Sequence, residues 1–218
     1  AFFGFPTGWL CRRTAKRLPY VISLRGSDVP GGNARLQLEY KALGPLVFKP
    51  IWRRASALVA CSEGLKARAL RFMPSAQIEV IPNGVDLERF HPPVAARPAR
   101  TLRLLTVGRL SATKRLSVLI EAVDLLADRG DVQLTIVGGG GLEAELRQLL
   151  ARRQLRGMVT LTGWRSGRRM PEVYREHDLF VSASMQEGMS NAMLEAMASG
   201  LPIVTTRCEG VDELIEDN

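Results

Sequence analysis

The chain has 218 residues, 46% of them hydrophobic and 24% charged, with 20 glycines and 12 prolines; these are proportions of a folded chain and exclude disordered or collagenous classes. Cys11, Cys61 and Cys208 are far apart and only His91 and His177 could join them, so neither a disulfide framework nor a zinc cage is written here, and the expected compartment is reducing. Net charge is +8 and its excess lies early: residues 1–97 carry 15 basic and 6 acidic side chains, residues 98–218 carry 15 and 16, an asymmetry that suits an anionic partner.

The opening Ala1-Phe2-Phe3-Gly4-Phe5-Pro6 is apolar but lacks the basic lead and long core of a signal peptide, and no run of about 18 apolar residues exists to span a bilayer. Tyr20–Leu24 reads as a strand, Ala34–Arg54 as a helical region interrupted at Pro45 and Pro50, and Ala57–Ala60 as a second strand. Ser62 then caps a helix through about Phe72, and strand Ile78–Ile81 is closed by the turn Pro82-Asn83-Gly84. Three prolines in His91–Pro98 mark a linker. Beyond it come strand Arg103–Val107, helix Lys114–Asp128, strand Val132–Val137, helix Leu142–Arg153 and strand Met158–Leu161. A short helix Met170–Glu176, strand Leu179–Ser182, helix Asn191–Ser199, strand Pro202–Thr205 and a closing helix complete the chain. In the first helix after the linker, Leu116, Leu119, Ile120, Val123 and Leu126 share one face. Short β-branched runs alternating with amphipathic stretches predict an α/β chain with parallel sheets. It divides into 1–90, a linker 91–100, and 101–218.

Two constellations carry chemistry. In Val107–Arg115 a strand ends at Gly108, a loop follows, and a helix starts between cations; helix amides, the Arg109 fork and the Lys114 point charge together suit a diphosphate. In Glu187-Gly188-Met189-Ser190-Asn191-Ala192-Met193-Leu194-Glu195 two carboxylates stand on the order of 12 Å apart at about 1.5 Å per helical residue. That is too far for paired-carboxylate glycoside hydrolysis at about 5–9.5 Å. It fits two ends of one nucleotide sugar, with hydroxyls donating to each carboxylate and the Gly188–Asn191 amides facing the charge between.

Other motifs are weaker. Gly139, Gly141 and Ala144 satisfy Gly-x-Gly-x-x-Ala after a strand, but no acid lies between Glu145 and Glu172 to hold a ribose, which disfavours a dehydrogenase and leaves the glycine run as a βα turn beside a ligand. No Asp-x-Asp is present, the nearest match being Asp86-Leu87-Glu88, so no metal is expected and charge neutralisation falls to protein cations. Nucleic-acid binding draws only on charge, with no recognisable module.

In consistent order, Ile81–Asp86, Gly108-Arg109 to Lys114, Ile136-Val137-Gly138, Leu161-Thr162-Gly163, Glu187–Glu195 and Ala196–Val204 resemble the retaining glycosyltransferases of family 4 over nearly the whole chain. The resemblance implies a GT-B fold, two Rossmann-like domains, the first here incomplete and the second without its terminal segment. It implies a metal-independent, retaining transfer of sugar from a nucleoside-diphosphate sugar, with no cofactor beyond that co-substrate, to a polysaccharide or lipid-linked acceptor. Arg109 and Lys114 would then meet the leaving diphosphate, Glu187 the transferred sugar and Glu195 the ribose. Gly108, Gly138, Gly188, Met189, Ser190 and Asn191 would line the donor, with Gly163 near the base. Many relatives place a His where Leu24-Arg25-Gly26 has Arg25, which opens the alternative of a non-catalytic nucleotide-sugar-binding module. The expected setting is cytoplasmic, with peripheral contact at the inner membrane face. That contact rests on the basic first half and on Lys41–Arg54, where Leu43, Leu46, Val47, Phe48, Ile51 and Trp52 mingle with Lys49, Arg53 and Arg54.

Overall fold

A computed structural model describes residues 1–14, 18–31, 40, 42–94, 101–128 and 131–216. Two compact units divide the chain: Ala1–Asn83 with Gln186–Met189 and Cys208–Asn218, and Gly84–Met185 with Ser190–Arg207. The division differs from the one read along the sequence, since residues 84–90 fold with the second unit and two later segments fold with the first.

In the first unit, helix α1 (Thr7–Thr14) precedes strand β1 (Val21–Leu24). A π-helical turn, Gly44–Phe48, runs into α2 (Lys49–Arg54). Strand β2 (Ala57–Ala60), helix α3 (Glu63–Phe72) and strand β3 (Ile78–Val80) follow, and the sheet is parallel in the order β1-β2-β3. Ile22, Leu24, Leu58 and Ala60 alternate onto one buried face, against Ile51, Trp52, Leu65 and Ala69. Pro45 and Pro50 do not interrupt the helical region. Each stands second in its own element, and the change of winding keeps the chain helical past it: Lys49, just before Pro50, still donates its amide to Gly44 O. Phe48, Ile51 and Trp52, read from the sequence as part of a membrane-facing stretch, are core residues; Lys41 lies outside the described residues.

Helix α3 is capped twice. Ser62 Oγ accepts from the Leu65 amide at 3.1 Å, and the Glu213 carboxylate accepts from the Glu63 and Gly64 amides at 2.9 Å each. Amides left open by the first turn thus meet a negative charge at the positive end of the helix dipole. The closing helix expected near the end of the chain is absent: residues 209–214 form turns. The turn expected at Pro82–Gly84 lies instead at 87–89; residues 82–84 form no turn, and Asn83 bonds with Met189.

In the second unit, β4 (Leu102–Val107), α4 (Leu116–Leu126), β5 (Val132–Val137), α5 (Glu143–Arg152), β6 (Val159–Gly163), α6 (Met170–Arg175), β7 (Leu179–Ser182), α7 (Asn191–Ala198) and β8 (Ile203–Thr205) form a parallel sheet of order β6-β5-β4-β7-β8. The chain leaves β4 toward β6 and returns on the other side to β7, so the order reverses beside β4. In such sheets the crevice outside the carboxyl ends at the reversal is where ligands bind. At the opposite, amino ends of the strands, Arg103 on β4 and Asp178 just ahead of β7 fix the register through a two-pronged ion pair at 3.0–3.1 Å. The helix expected over Lys114–Asp128 is split. Ala112–Lys114 is a 3-10 turn, Arg115 takes a left-handed φ of 47°, and α4 starts only at Leu116. On α4, Leu116, Ile120 and Val123 are buried and Leu119 packs against them, whereas Leu126 is exposed. Of the linker, His91–Val94 has no helix or strand and residues 95–100 lie outside the described chain.

Candidate donor site

The loops leaving β4 and β7 meet at the reversal, where the Met185 amide donates to the Thr113 carbonyl at 2.9 Å. On the other side of β4, the Gly108–Leu110 loop is laced to the glycine run after β5. The Gly108 amide donates to Val137 O at 2.9 Å and Leu110 N to Gly139 O at 3.0 Å, and the Gly138 amide reaches Gly163 O at 3.0 Å. Two glycines make this approach possible. A Cβ on Gly138 would lie 1.9 Å from the Gly108 carbonyl oxygen, and one on Gly140 would lie 2.4 Å from Leu110 O. Around Gly139 and Gly141, which satisfy the dinucleotide spacing in the sequence, there is open space. The run is therefore a backbone-packing device, and its essential members are the two that the spacing passes over.

Lys114 folds back over the end of β4: a Cβ on Gly108 would stand 3.2 Å from its Cε and 3.5 Å from its Nζ. Its ammonium is thereby held at the carboxyl edge of the sheet, together with Gly108, Gly138 and Gly163. Arg109 is exposed in the same loop. Ser190 caps α7 by accepting from the Met193 amide at 3.4 Å, and Asn191 opens the helix. Glu195, one turn further on, accepts a 2.8 Å hydrogen bond from the Tyr174 hydroxyl. Partial burial pushes the Glu195 carboxyl up from its ordinary value, with the Tyr174 bond and Arg89 pulling it down. Tyr174 is itself fully buried between Phe90 and Phe180, and burial first, then Glu195, raises its phenol far above the ordinary range. Nothing local in the sequence announces this pair, whose members are 21 residues apart.

The remaining predicted residues belong to the first unit. Arg25 and Gly26 donate their amides to Asp28 Oδ1 at 2.9 and 3.1 Å, and the Arg25 guanidinium lies over the Phe2 ring. A Cβ on Gly188 would meet Arg25 O at 3.0 Å and Cys61 Sγ at 3.1 Å. Gly210, with φ +80°, approaches from another side, 2.2 Å from Gly188 O by the same construction. Met189 accepts from the Asn83 amide and carboxamide at its sulfur and its carbonyl, both at 3.2 Å. The Glu187–Glu195 segment is thus divided: Glu187, Gly188 and Met189 pack with the first unit, Ser190, Asn191 and Glu195 with the second. Sequence reasoning missed Asp28, Cys61, Tyr174 and Gly210; the last three act through contacts distant in sequence, and Asp28 accepts from amides two and three residues before it. Among the described residues, no group of three or more His, Cys, Asp or Glu side chains is arranged to hold a metal ion, and no helix is long and apolar enough to cross a membrane.

Comparison with known proteins bears on the family and the fold. Residues 101–218 match the family model described as glycosyl transferases group 1, and residues 1–89 match glycosyltransferase family 4. The chain is 36% identical to the amylovoran biosynthesis glycosyltransferase AmsK of Erwinia amylovora over 152 residues, 66% of this chain and 37% of that protein. It is 33% identical to the putative colanic acid biosynthesis glycosyltransferase WcaL of Escherichia coli K12 over 178 residues, 78% of this chain and 44% of that one. The chain therefore spans less than half the length of these two relatives. Among solved structures, Anabaena HepE in complex with UDP-glucose superposes with a TM-score of 0.78 at 23% identity, covering 96% of this chain and 59% of that one. The fold is accordingly of the GT-B type, and the chain belongs to the group 1, family 4 glycosyltransferases.

Proposed function

We propose that the protein carrying this chain transfers a sugar from a nucleoside-diphosphate sugar to a polysaccharide or lipid-linked acceptor, with retention at the anomeric carbon and without a metal. The observation that carries the reading is the Lys114 ammonium, folded over Gly108 at the strand-order reversal of the second sheet. There the ammonium stands beside glycine backbone, and a Cβ at Gly139 or Gly141 of the adjoining run would meet nothing within 4 Å. Negative charge grows on the departing diphosphate, and a positioned ammonium with the Arg109 guanidinium lowers the barrier by stabilising it where it forms. Glu195, its carboxylate oriented by Tyr174, takes hydrogen bonds from the ribose hydroxyls, and Glu187 takes them from the transferred sugar. Names of the relatives support the acceptor class: AmsK is named for amylovoran biosynthesis, WcaL for colanic acid biosynthesis, and an Escherichia coli relative for adding galactose to a diphosphoundecaprenol-linked sugar.

Arg25 favours a second reading, a binder that captures the donor without turning it over. Release of nucleoside diphosphate from UDP-, GDP- or ADP-sugars by the full-length protein separates the two. Turnover above the spontaneous rate, abolished by Lys114→Ala, supports the transferase; saturable binding without release supports the binder.

A further inference from the structure

The amino edge of the first sheet carries a feature that donor chemistry does not use. Helices α1 and α2 pack side by side through Gly8, whose Cβ would lie 3.0 Å from Ile51, so their carboxyl ends emerge together. Each last turn is basic: Arg12 and Arg13 on α1, Arg53 and Arg54 on α2. Trp9, Arg12, Arg13 and Arg54 line one open cleft of about 710 Å³, with the Arg13 guanidinium 4.9 Å from the Trp9 ring. Two helices of eight and six residues need no such number of guanidinium groups to complement their dipoles.

Two further facts bear on what the cleft faces. Neither α1 nor α2 contains an acidic residue, although together they hold Arg12, Arg13, Lys49, Arg53 and Arg54. An apolar side chain also stands open on α1, Leu10 at 54% exposure. Guanidinium groups around an indole, with an exposed leucine on the same helix, match the interfacial layer of an anionic bilayer. There phosphates take the cations, and tryptophan and leucine enter the headgroup region.

We infer that the α1–α2 end of the first unit, centred on Trp9, Arg12, Arg13 and Arg54, is a docking face for an anionic phospholipid membrane. The inference names the surface behind the membrane contact expected of a lipid-linked acceptor. It is tested without donor or acceptor, so its failure leaves the transferase reading standing.

The experiment is co-sedimentation of the full-length protein with phosphatidylcholine vesicles, with or without about 30% phosphatidylglycerol, at low and at high salt. Binding is expected only with phosphatidylglycerol and is lost at high salt. Arg12→Gln/Arg13→Gln lowers the partition coefficient about 30-fold, the change that follows from about 1 kcal/mol per basic side chain at an anionic surface. Arg12→Lys/Arg13→Lys keeps the charge and the binding, which guards against a folding defect. Arg152→Gln/Arg156→Gln, an equal charge loss on the second unit, leaves binding unchanged. Absence of binding at low salt, equal binding to neutral vesicles, or an equal loss in the Arg152/Arg156 variant overturns the inference. So does release by millimolar inorganic phosphate at constant ionic strength, which would mark a discrete anion site instead of a membrane face.

Discussion

Replacing Gly138 by alanine places a methyl group 1.9 Å from the Gly108 carbonyl oxygen, where real contacts stay above about 3.0 Å, so the β4 loop must retreat by about 1.1 Å. Residue 138 also has a φ of 145°, which an alanine rarely adopts. Overpacking costs about 1–3 kcal/mol and the backbone conformation about 1–3 more, so a destabilisation near 3 kcal/mol is expected. For a unit of this size that lowers the melting temperature by on the order of 10 °C. The retreat also carries away the Gly108 surface against which Lys114 rests, and a misplacement of about 1 Å at a reacting group slows chemistry by about 100-fold. Gly139→Ala is the internal control: nothing lies within 4 Å of its Cβ, and its effect should stay within about 0.5 kcal/mol. Calorimetric melting and donor turnover on both variants decide the matter. Equal behaviour of the two would refute the packing account of the glycine run.

Tyr174→Phe removes a hydrogen bond that stabilises ionised Glu195, so the carboxyl, already raised, rises further. Because the folded form binds this proton more tightly than the unfolded form, the group's contribution to stability is largest at low pH. It is lost as pH rises from the ordinary glutamate value through the raised one. Donor affinity, which needs the carboxylate, should show its acidic limb at higher pH in the variant; a pH series of titrations with an unmoved limb would disprove the role given to Tyr174. Gly210→Ala puts a Cβ 2.2 Å from Gly188 O at a left-handed backbone position. It should cost about 2–4 kcal/mol in thermal stability and depress kcat more than donor affinity through Glu187. A fully active, equally stable variant would dissociate the 208–214 turns from the Glu187 loop.

The parallel architecture was legible because short β-branched runs alternate with amphipathic stretches: Val132–Val137 and Leu179–Ser182 have the boundaries expected from sequence, and Ser62 caps its helix as its position implied. What escaped was set by contacts rather than pattern. Arg115 is left-handed without being glycine, and a continuous helical periodicity conceals the break. Helix α1 lies in a glycine- and aromatic-rich opening that shows no helical period, and it exists because Gly8 lets it press on Ile51. In the glycine run, spacing singled out Gly139 and Gly141, whereas contact distances single out Gly138 and Gly140. The Glu213 cap on α3 joins residues 149 and 150 apart, beyond the reach of any local motif.

The most direct test of the donor site is calorimetric titration of the full-length protein and its Lys114→Ala variant with UDP, GDP and ADP. One of the three should bind the parent protein, and removal of the ammonium should weaken that affinity by about 10- to 150-fold, the equivalent of about 1.5–3 kcal/mol for a hydrogen bond to a charged group. Undiminished binding by Lys114→Ala would mean that the diphosphate does not lie at the carboxyl edge of the second sheet.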